Sequence, residues 1–276
     1  MVVVFAGQGD VRRTMALLWR AVTSSDAQHR TSPGPKPGLS VDEIVDAAIA
    51  LADADGMAAL SMRAVGKHLG RTGMALYTYV PSKSELLDLM YDRVLGELPT
   101  VYDLKAGWRA AVTEWARTYW EFLLRHPWVL QVSSARPVLG PNEFASMEAI
   151  VRLFDDVTTP PAARRHIMGT LTSFVSGTAR IVAETRQAPV ATGMSEDDWW
   201  YARSAALTEV VPDFAERYPA LVHMESEAET PHDAAMPYLE RAALESFTAG
   251  LGYLLDGIEA TIRRAAKTAA ADGGTS

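Results

Sequence analysis

Between Leu60 and Lys83 two stops, Gly70 and Pro81, cut the chain into pieces too short for anything but a compact helical hairpin. A helix-turn-helix needs two short helices joined by a turn of three or four residues, usually containing glycine. Met62, Val65 and Leu69 recur at helical spacing and form an inward stripe. Gly70 makes the turn, and Leu76 and Val80 anchor a helix expected over residues 72–80, which Pro81 ends. Small Ala64 and Gly66 permit close helix contact. Arg63 and Lys67, at i and i+4, share a different face. Arg71 then opens the later helix, with Thr72, Gly73, Met74, Tyr77 and Tyr79 near its outer faces. Ser40-Val41-Asp42-Glu43 and Ser82-Lys83-Ser84-Glu85 are capping boxes that start the flanking helices. The first of these buries Ile44, Ala47, Ala48, Leu51 and Ala52 and stops at Asp55-Gly56.

The formal net charge of −8 argues against a polyanionic partner, but its distribution does not. From Gly56 to Ser84 there are four basic residues (Arg63, Lys67, Arg71, Lys83) and no acidic one. From Val101 onward 16 Lys and Arg face 23 Asp and Glu. One short segment is thus fit to face DNA while the remainder repels it. In such a motif the second helix lies in the major groove and the first braces it. Lys83 stands in the first turn of a helix, where a cation opposes the helix dipole, so a phosphate beside it would explain its place.

The rest of the chain reads as helix. Residues 1–39 form an N-terminal extension. Asp10 caps a helix over 10–22 that carries Val11, Met15, Leu18, Trp19 and Val22 on one face. A Pro/Gly arm bearing Arg30 and Lys36 follows. Residues 40–98 form the helix-turn-helix domain, 99–268 a larger helical domain, and 269–276 a disordered tail. In the larger domain, helices are expected at 104–125, 129–135, 142–156, 161–184, 197–211 and 236–267. Pro- and Gly-containing breaks separate them. No stretch alternates with period two, so the fold class is all-α. Gly169, Ser173, Ser176 and Gly177 line one late helix, and Ala242, Ala243, Ser246, Gly250 and Gly257 another. Small faces of this kind allow close helix approach and predict a homodimer through a four-helix bundle.

Leu69-Gly70-Arg71-Thr72-Gly73-Met74-Ala75-Leu76-Tyr77-Thr78-Tyr79-Val80-Pro81-Ser82-Lys83, preceded by Ser40–Ala59, closely resembles the signature of the TetR family of transcriptional regulators. The resemblance implies a ligand-responsive regulator, most often a repressor, that binds a palindromic operator as a homodimer and is released by a small hydrophobic effector. It implies that Tyr77, Tyr79 and Lys83 hold phosphates and that Arg71, Thr72, Gly73 and Met74 sit at base-reading positions. Arg63 and Lys67 reach phosphates beside them. More loosely, Leu123-Leu124-Arg125-His126 followed by Arg136-Pro137 is similar to the tetracycline-repressor type of C-terminal domain. That places Trp115, Tyr119, Arg136 and Glu148 around an effector pocket, which is expected to be apolar and to include Met147 and Phe174. The tetracycline-repressor type holds a ligand-bound magnesium through a histidine a few residues before its Arg-Pro. Val132-Ser133-Ser134-Ala135 supplies none, so neither tetracycline nor a metal is expected.

Other classes fit poorly. Gly7-Gln8-Gly9 lacks the third glycine of a dinucleotide fingerprint, and no Gly-x-Ser-x-Gly elbow exists, so no enzyme and no cofactor are expected. The histidines show no i, i+4 pairing for a metal. With no cysteine and no apolar run near the ~20 residues of a membrane span, the protein is expected in the cytoplasm and off the membrane. A helical scaffold without DNA binding is the remaining alternative. For the arm, lying in the minor groove and being a passive tail both stay open.

Overall fold

The computed structural model describes residues 3–25, 38–157, 159–226 and 237–272. Arg30 and Lys36 lie outside the described residues. The described elements are helical, apart from one isolated parallel bridge between Val4 and Val132. They form two compact units, residues 1–176 with 251–276, and residues 177–250.

In the first unit α1 (Val11–Leu18) starts at Asp10, whose carboxylate accepts from the Arg13 N–H at 2.8 Å. The helix expected over 10–22 breaks at Trp19 and resumes as α2 (Arg20–Ser25). α3 (Val41–Asp55) begins with the full capping box: Glu43 N–H donates to Ser40 Oγ, and the Glu43 carboxylate accepts from Ser40 N–H. Its buried face holds Ile44, Val45, Ala47, Ala48 and Ala52. α4 (Met62–His68) and α5 (Gly73–Leu76) make the helix-turn-helix. α5 is shorter than expected. Beyond Leu76 the chain tightens, with Tyr79 N–H donating to Leu76 O, because Pro81 restricts the residue before it and cannot continue a helix.

α6 (Lys83–Leu95) is capped by Ser82, whose oxygen accepts from Ser84 N–H at 3.0 Å. The expected capping box does not close. Glu85 takes the Ser82 hydroxyl and turns its other oxygen to the N–H of Asp10. α7 (Trp108–Arg125) buries Ala111, Val112, Trp115, Ala116, Phe122 and Leu123. A 3-10 turn (Pro127–Gln131) stands where a helix over 129–135 was expected. α8 (Pro141–Arg152) follows. α9 (Pro161–Thr192) runs past the expected end at Glu184. Its Pro189 lies in the last turn, where it removes the N–H that would otherwise reach the carbonyl of Thr185.

The unit of residues 177–250 contains α10 (Glu196–Val210), α11 (Phe214–Arg217) and α12 (Pro219–Ser226), with the end of α9 and the start of α13 (Tyr238–Asp272). Two short helices thus stand between the helices expected at 197–211 and 236–267. Arg186 of α9 pairs with Glu240 of α13 inside this unit. In the first unit Arg109 of α7 reaches Asp256 at 2.6 Å and Glu259 at 3.4 Å on α13. No described helix is long and apolar enough to cross a membrane.

Candidate nucleic-acid interface

The turn between α4 and α5 is a Schellman motif built on Gly70 at φ +66°. Arg71 N–H donates to Gly66 O at 2.8 Å and Gly70 N–H to Lys67 O at 3.2 Å, which satisfies the end of α4. The two helices then cross almost backbone to backbone. A Cβ on Gly66 would stand 2.8 Å from Gly73 N, and one on Gly73 would stand 3.2 Å from Arg63 N. Val65, Leu76 and Val80 are fully buried beneath this crossing. Gly73, expected at a base-reading position, therefore works as a packing residue against α4.

What the crossing leaves outside is a basic and apolar face. Arg63, Lys67, Arg71, Thr72, Tyr77 and Lys83 are exposed, and Tyr79 is half-buried. Met74 is 75 % exposed at the tip of α5, an isolated thioether on a polar surface with nothing of its own chain to cover it. Arg71 Nη2 donates to Gly38 O at 3.2 Å, so the end of the arm lies beside the start of α5. By contrast, residues 177–250 carry 13 Asp and Glu against 5 Lys and Arg, so the net −8 of the whole chain resides in that unit.

These features match a described family twice. The model of bacterial regulatory proteins of the tetR family matches residues 44–90, and that of the tetracyclin repressor-like C-terminal domain matches residues 103–262. The chain belongs to the TetR family. It is 37 % identical over 260 residues to the HTH-type transcriptional repressor DrrR1 of Streptomyces coeruleorubidus, covering 93 % of this chain and 88 % of that protein. Among solved structures it is similar to apo ActR of Streptomyces coelicolor, with a TM-score of 0.65 at 24 % identity, covering 84 % of this chain and 100 % of ActR. It is also similar to ActR in complex with actinorhodin, with a TM-score of 0.62 at 25 % identity, covering 82 % and 98 %. TetR-family proteins are DNA-binding regulators, not enzymes, which closes the catalytic alternatives. Val4 makes only a single bridge where a dinucleotide fold needs a strand.

In this TetR-family chain the residues expected around an effector do not all converge. Trp115 and Tyr119 stack at 5.6 Å, and Tyr119 and Phe122 at 6.1 Å, inside the first unit. Burial raises the pKa of the Tyr119 hydroxyl, against a hydrogen bond with Ser176 that lowers it. Phe174 is half-buried on α9. Arg136 lies over the Phe5 ring at 5.7 Å. Glu148, expected to face a ligand, instead points outward and pairs with Arg152 at 2.9 Å, and its neighbour Met147 is exposed too. The buried face of α8 is Glu143, Ala149 and Ile150, half a turn away. Among the described residues no three His, Asp or Glu side chains cluster for a metal.

Sequence reasoning missed an apolar cavity of about 670 Å³ in residues 177–250, lined by Trp200, Tyr201, Phe214, Leu221, Val222 and Tyr238, with Asp197 as its carboxylate. The signal was the aromatic run Trp199-Trp200-Tyr201, whose rings continue to Tyr238 edge-on at 6.2 Å. It also missed Asp53 and the acidic row of α6, which are described below.

Proposed function

We propose that this TetR-family chain is a repressor that binds a palindromic operator as a homodimer and leaves it when a small hydrophobic effector binds. The observation that carries the reading is the outward face of α4 and α5: basic, tipped by Met74, and held by a glycine crossing that brings the two backbones into close contact. Tyr77, Tyr79 and Lys83 grip phosphates, Arg63 and Lys67 add to that grip, and Arg71, Thr72 and Met74 read base edges. Met74 and the Thr72 methyl suit thymine methyl groups. The 37 % identity to a protein named as a repressor supports the sign.

The homodimer forms through α9 and α13. Gly169, Ser173 and Gly177 repeat every fourth residue on an exposed face of α9, and the two glycines have no atom near where a Cβ would stand. Ala243 departs from this scheme, because it is buried within its own chain. A two-fold dimer sets its recognition helices about 34 Å apart, so the operator is a near-palindrome. Binding to chromosomal DNA puts the protein in the cytoplasm.

The test is selection of DNA by the purified chain, followed by footprinting and titration at several salt concentrations. Two protected half-sites one helical turn apart are expected. Tyr77→Ala and Lys83→Ala should weaken every sequence alike, each lowering the salt slope by about one. Arg71→Ala should relax one base position at a cost of about 1–3 kcal/mol. Unchanged affinity in both phosphate variants would refute this docking.

Two effector locations are compatible with these side chains. The resemblance points to Trp115, Tyr119 and Phe174, with Arg136 near the entrance; the cavity of residues 177–250 points to Trp200 and Tyr238. ActR in complex with actinorhodin supports a small-molecule effector for either. Release requires the effector to favour the DNA-incompetent state, since equal affinity for both shifts nothing. With actinorhodin as the probe, Trp115→Ala with Tyr119→Ala should abolish release if the first location holds, and Trp200→Ala if the second does. Release unaffected in both would place the site elsewhere.

A further inference from the structure

α6 joins the DNA-binding domain to the regulatory domain, and three of its carboxylates point inward. Glu85, Asp88 and Asp92 share one face at i, i+3 and i+7, and each is less than 5 % exposed. Buried carboxylates are normally paired with cations. These instead accept backbone N–H groups from two segments distant in sequence. Gly7 N–H donates to Asp88 Oδ1 at 2.9 Å, and Asp10 N–H to Glu85 Oε1 at 3.1 Å. One turn further on, Asn142 and Glu143 N–H both donate to Asp92 Oδ1 at 2.9 Å, which caps α8. Gly9 and Gly140 are the points of closest approach. A Cβ on either would collide with the carboxylate of Glu85 or of Asp92.

The N-terminal segment continues in both directions from these contacts. Val4 exchanges backbone hydrogen bonds with Gln131 and Ser133, each at 2.8 Å, and Phe5 lies under Arg136. Downstream Leu18 is buried, Trp19 Nε1 donates to Leu139 O at 3.0 Å, and the Trp19 ring meets Phe144 at 6.2 Å. Arg20 pairs with Asp42 of α3. Leu139 has φ +61°, a conformation that a branched side chain rarely adopts, and Trp19 on its carbonyl and Glu143 on its N–H hold it there. One run of seventeen residues therefore touches α3, α6, the loop 131–139 and α8.

We propose that residues 4–20 are a strap that sets the orientation of α6 relative to the loop 131–139 and so positions the helix-turn-helix for DNA, with Asp88 as the positioning residue at its centre. Asp88 Oδ2 is buried without a partner, and burial, with Glu85 nearby, raises its pKa. Without Gly7 and Asp10 across it, this face of α6 gains water and loses its fixed seat. The strap thus supplies the N–H groups that satisfy Asp88 and Glu85 on this buried face.

Three variants of the full chain test this: deletion of residues 1–20, Asp88→Leu and Asp88→Asn. The readouts are amide hydrogen exchange, affinity for the selected operator and the salt slope of that affinity. Asp88→Leu should speed exchange about tenfold or more in α6 and, at a distance, in residues 131–139. Operator affinity should fall about tenfold with the salt slope unchanged, because no phosphate contact is lost. Asp88→Asn keeps an oxygen for Gly7 N–H and should match the parent. The deletion should reproduce the leucine variant. Unchanged exchange at 131–139 in Asp88→Leu overturns the proposal. So does a deletion whose affinity loss comes with a reduced slope, since Arg12, Arg13 and Arg20 would then be touching DNA themselves.

Discussion

Replacing Gly66 by alanine is expected to lower operator affinity by about a hundredfold while changing thermal stability by only a few degrees. The added Cβ would lie 2.8 Å from Gly73 N, 2.9 Å from Thr72 C and 3.0 Å from Arg71 O. All three are backbone atoms, so no side chain can rotate aside, and α5 has to move outward as a body. Overpacking of this kind costs about 1–3 kcal/mol. The same substitution recovers about 1 kcal/mol of helix propensity inside α4, so the net effect on folding is small. DNA binding has no such compensation. α5 is only four residues long, and Arg71, Thr72 and Met74 move with it. In the docking proposed above, losing two of the base contacts of Arg71, Thr72 and Met74 at about 1.4 kcal/mol each is a hundredfold in affinity. Fluorescence anisotropy on the selected operator, with a thermal melt of the same sample, separates the two effects. Affinity within threefold of the parent would mean that the crossing is softer than its geometry.

The glycines show what was legible in the sequence. Gly70 was readable as the turn because a left-handed residue is needed there and glycine supplies it most readily. Gly66 was readable as a close contact because it interrupts an otherwise good helix. Gly73 was not, because its neighbours Thr72 and Met74 do face outward, and a residue without a side chain gives no sign of which face it occupies. The helix over 142–156 was legible and its facing was not. Burial of Glu143 in place of Glu148 depends on Leu139 and Asp92, residues from outside the helix. The same limit hid the row Glu85, Asp88, Asp92. Acids at i, i+3 and i+7 read as a solvated face, and only the docking of residues 7–10 on Glu85 and Asp88 and of the start of α8 on Asp92 turns that face inward. Patterns set within one helix were visible; patterns set by distant backbone N–H groups were not.

Asp53 is a second acid whose position makes sense only in the fold, and its loss should be felt in both domains. It stands in the last turn of α3, where a negative charge opposes the helix dipole. Its Oδ1 accepts from Trp128 Nε1 at 2.8 Å and lies 2.8 Å from His126 Nδ1, while the other ring nitrogen of His126 lies 3.1 Å from Glu97. Trp128 is almost fully buried, so this one oxygen ties α3 to the 3-10 turn of the C-terminal domain. Asp53→Ala leaves the indole N–H without an acceptor, at about 1–3 kcal/mol for a buried donor. A polar cavity beside Asp53, lined by Asp46, Arg93, Glu97, His126 and Asn142, lets water reach the ring of His126, so the imidazole adds little further cost. Relief of the dipole clash returns about 0.5 kcal/mol. A net loss of about 0.5–2.5 kcal/mol corresponds to a Tm lower by roughly 1–10 °C for a domain of this size. Operator affinity should fall severalfold, because α3 no longer has a fixed seat against residues 127–131. Asp53→Asn keeps Oδ1 in place for both donors and should recover most of the stability and the affinity. A melt and a titration of the two variants decide the matter: equal losses in both would show that the charge matters and the shared acceptor oxygen does not.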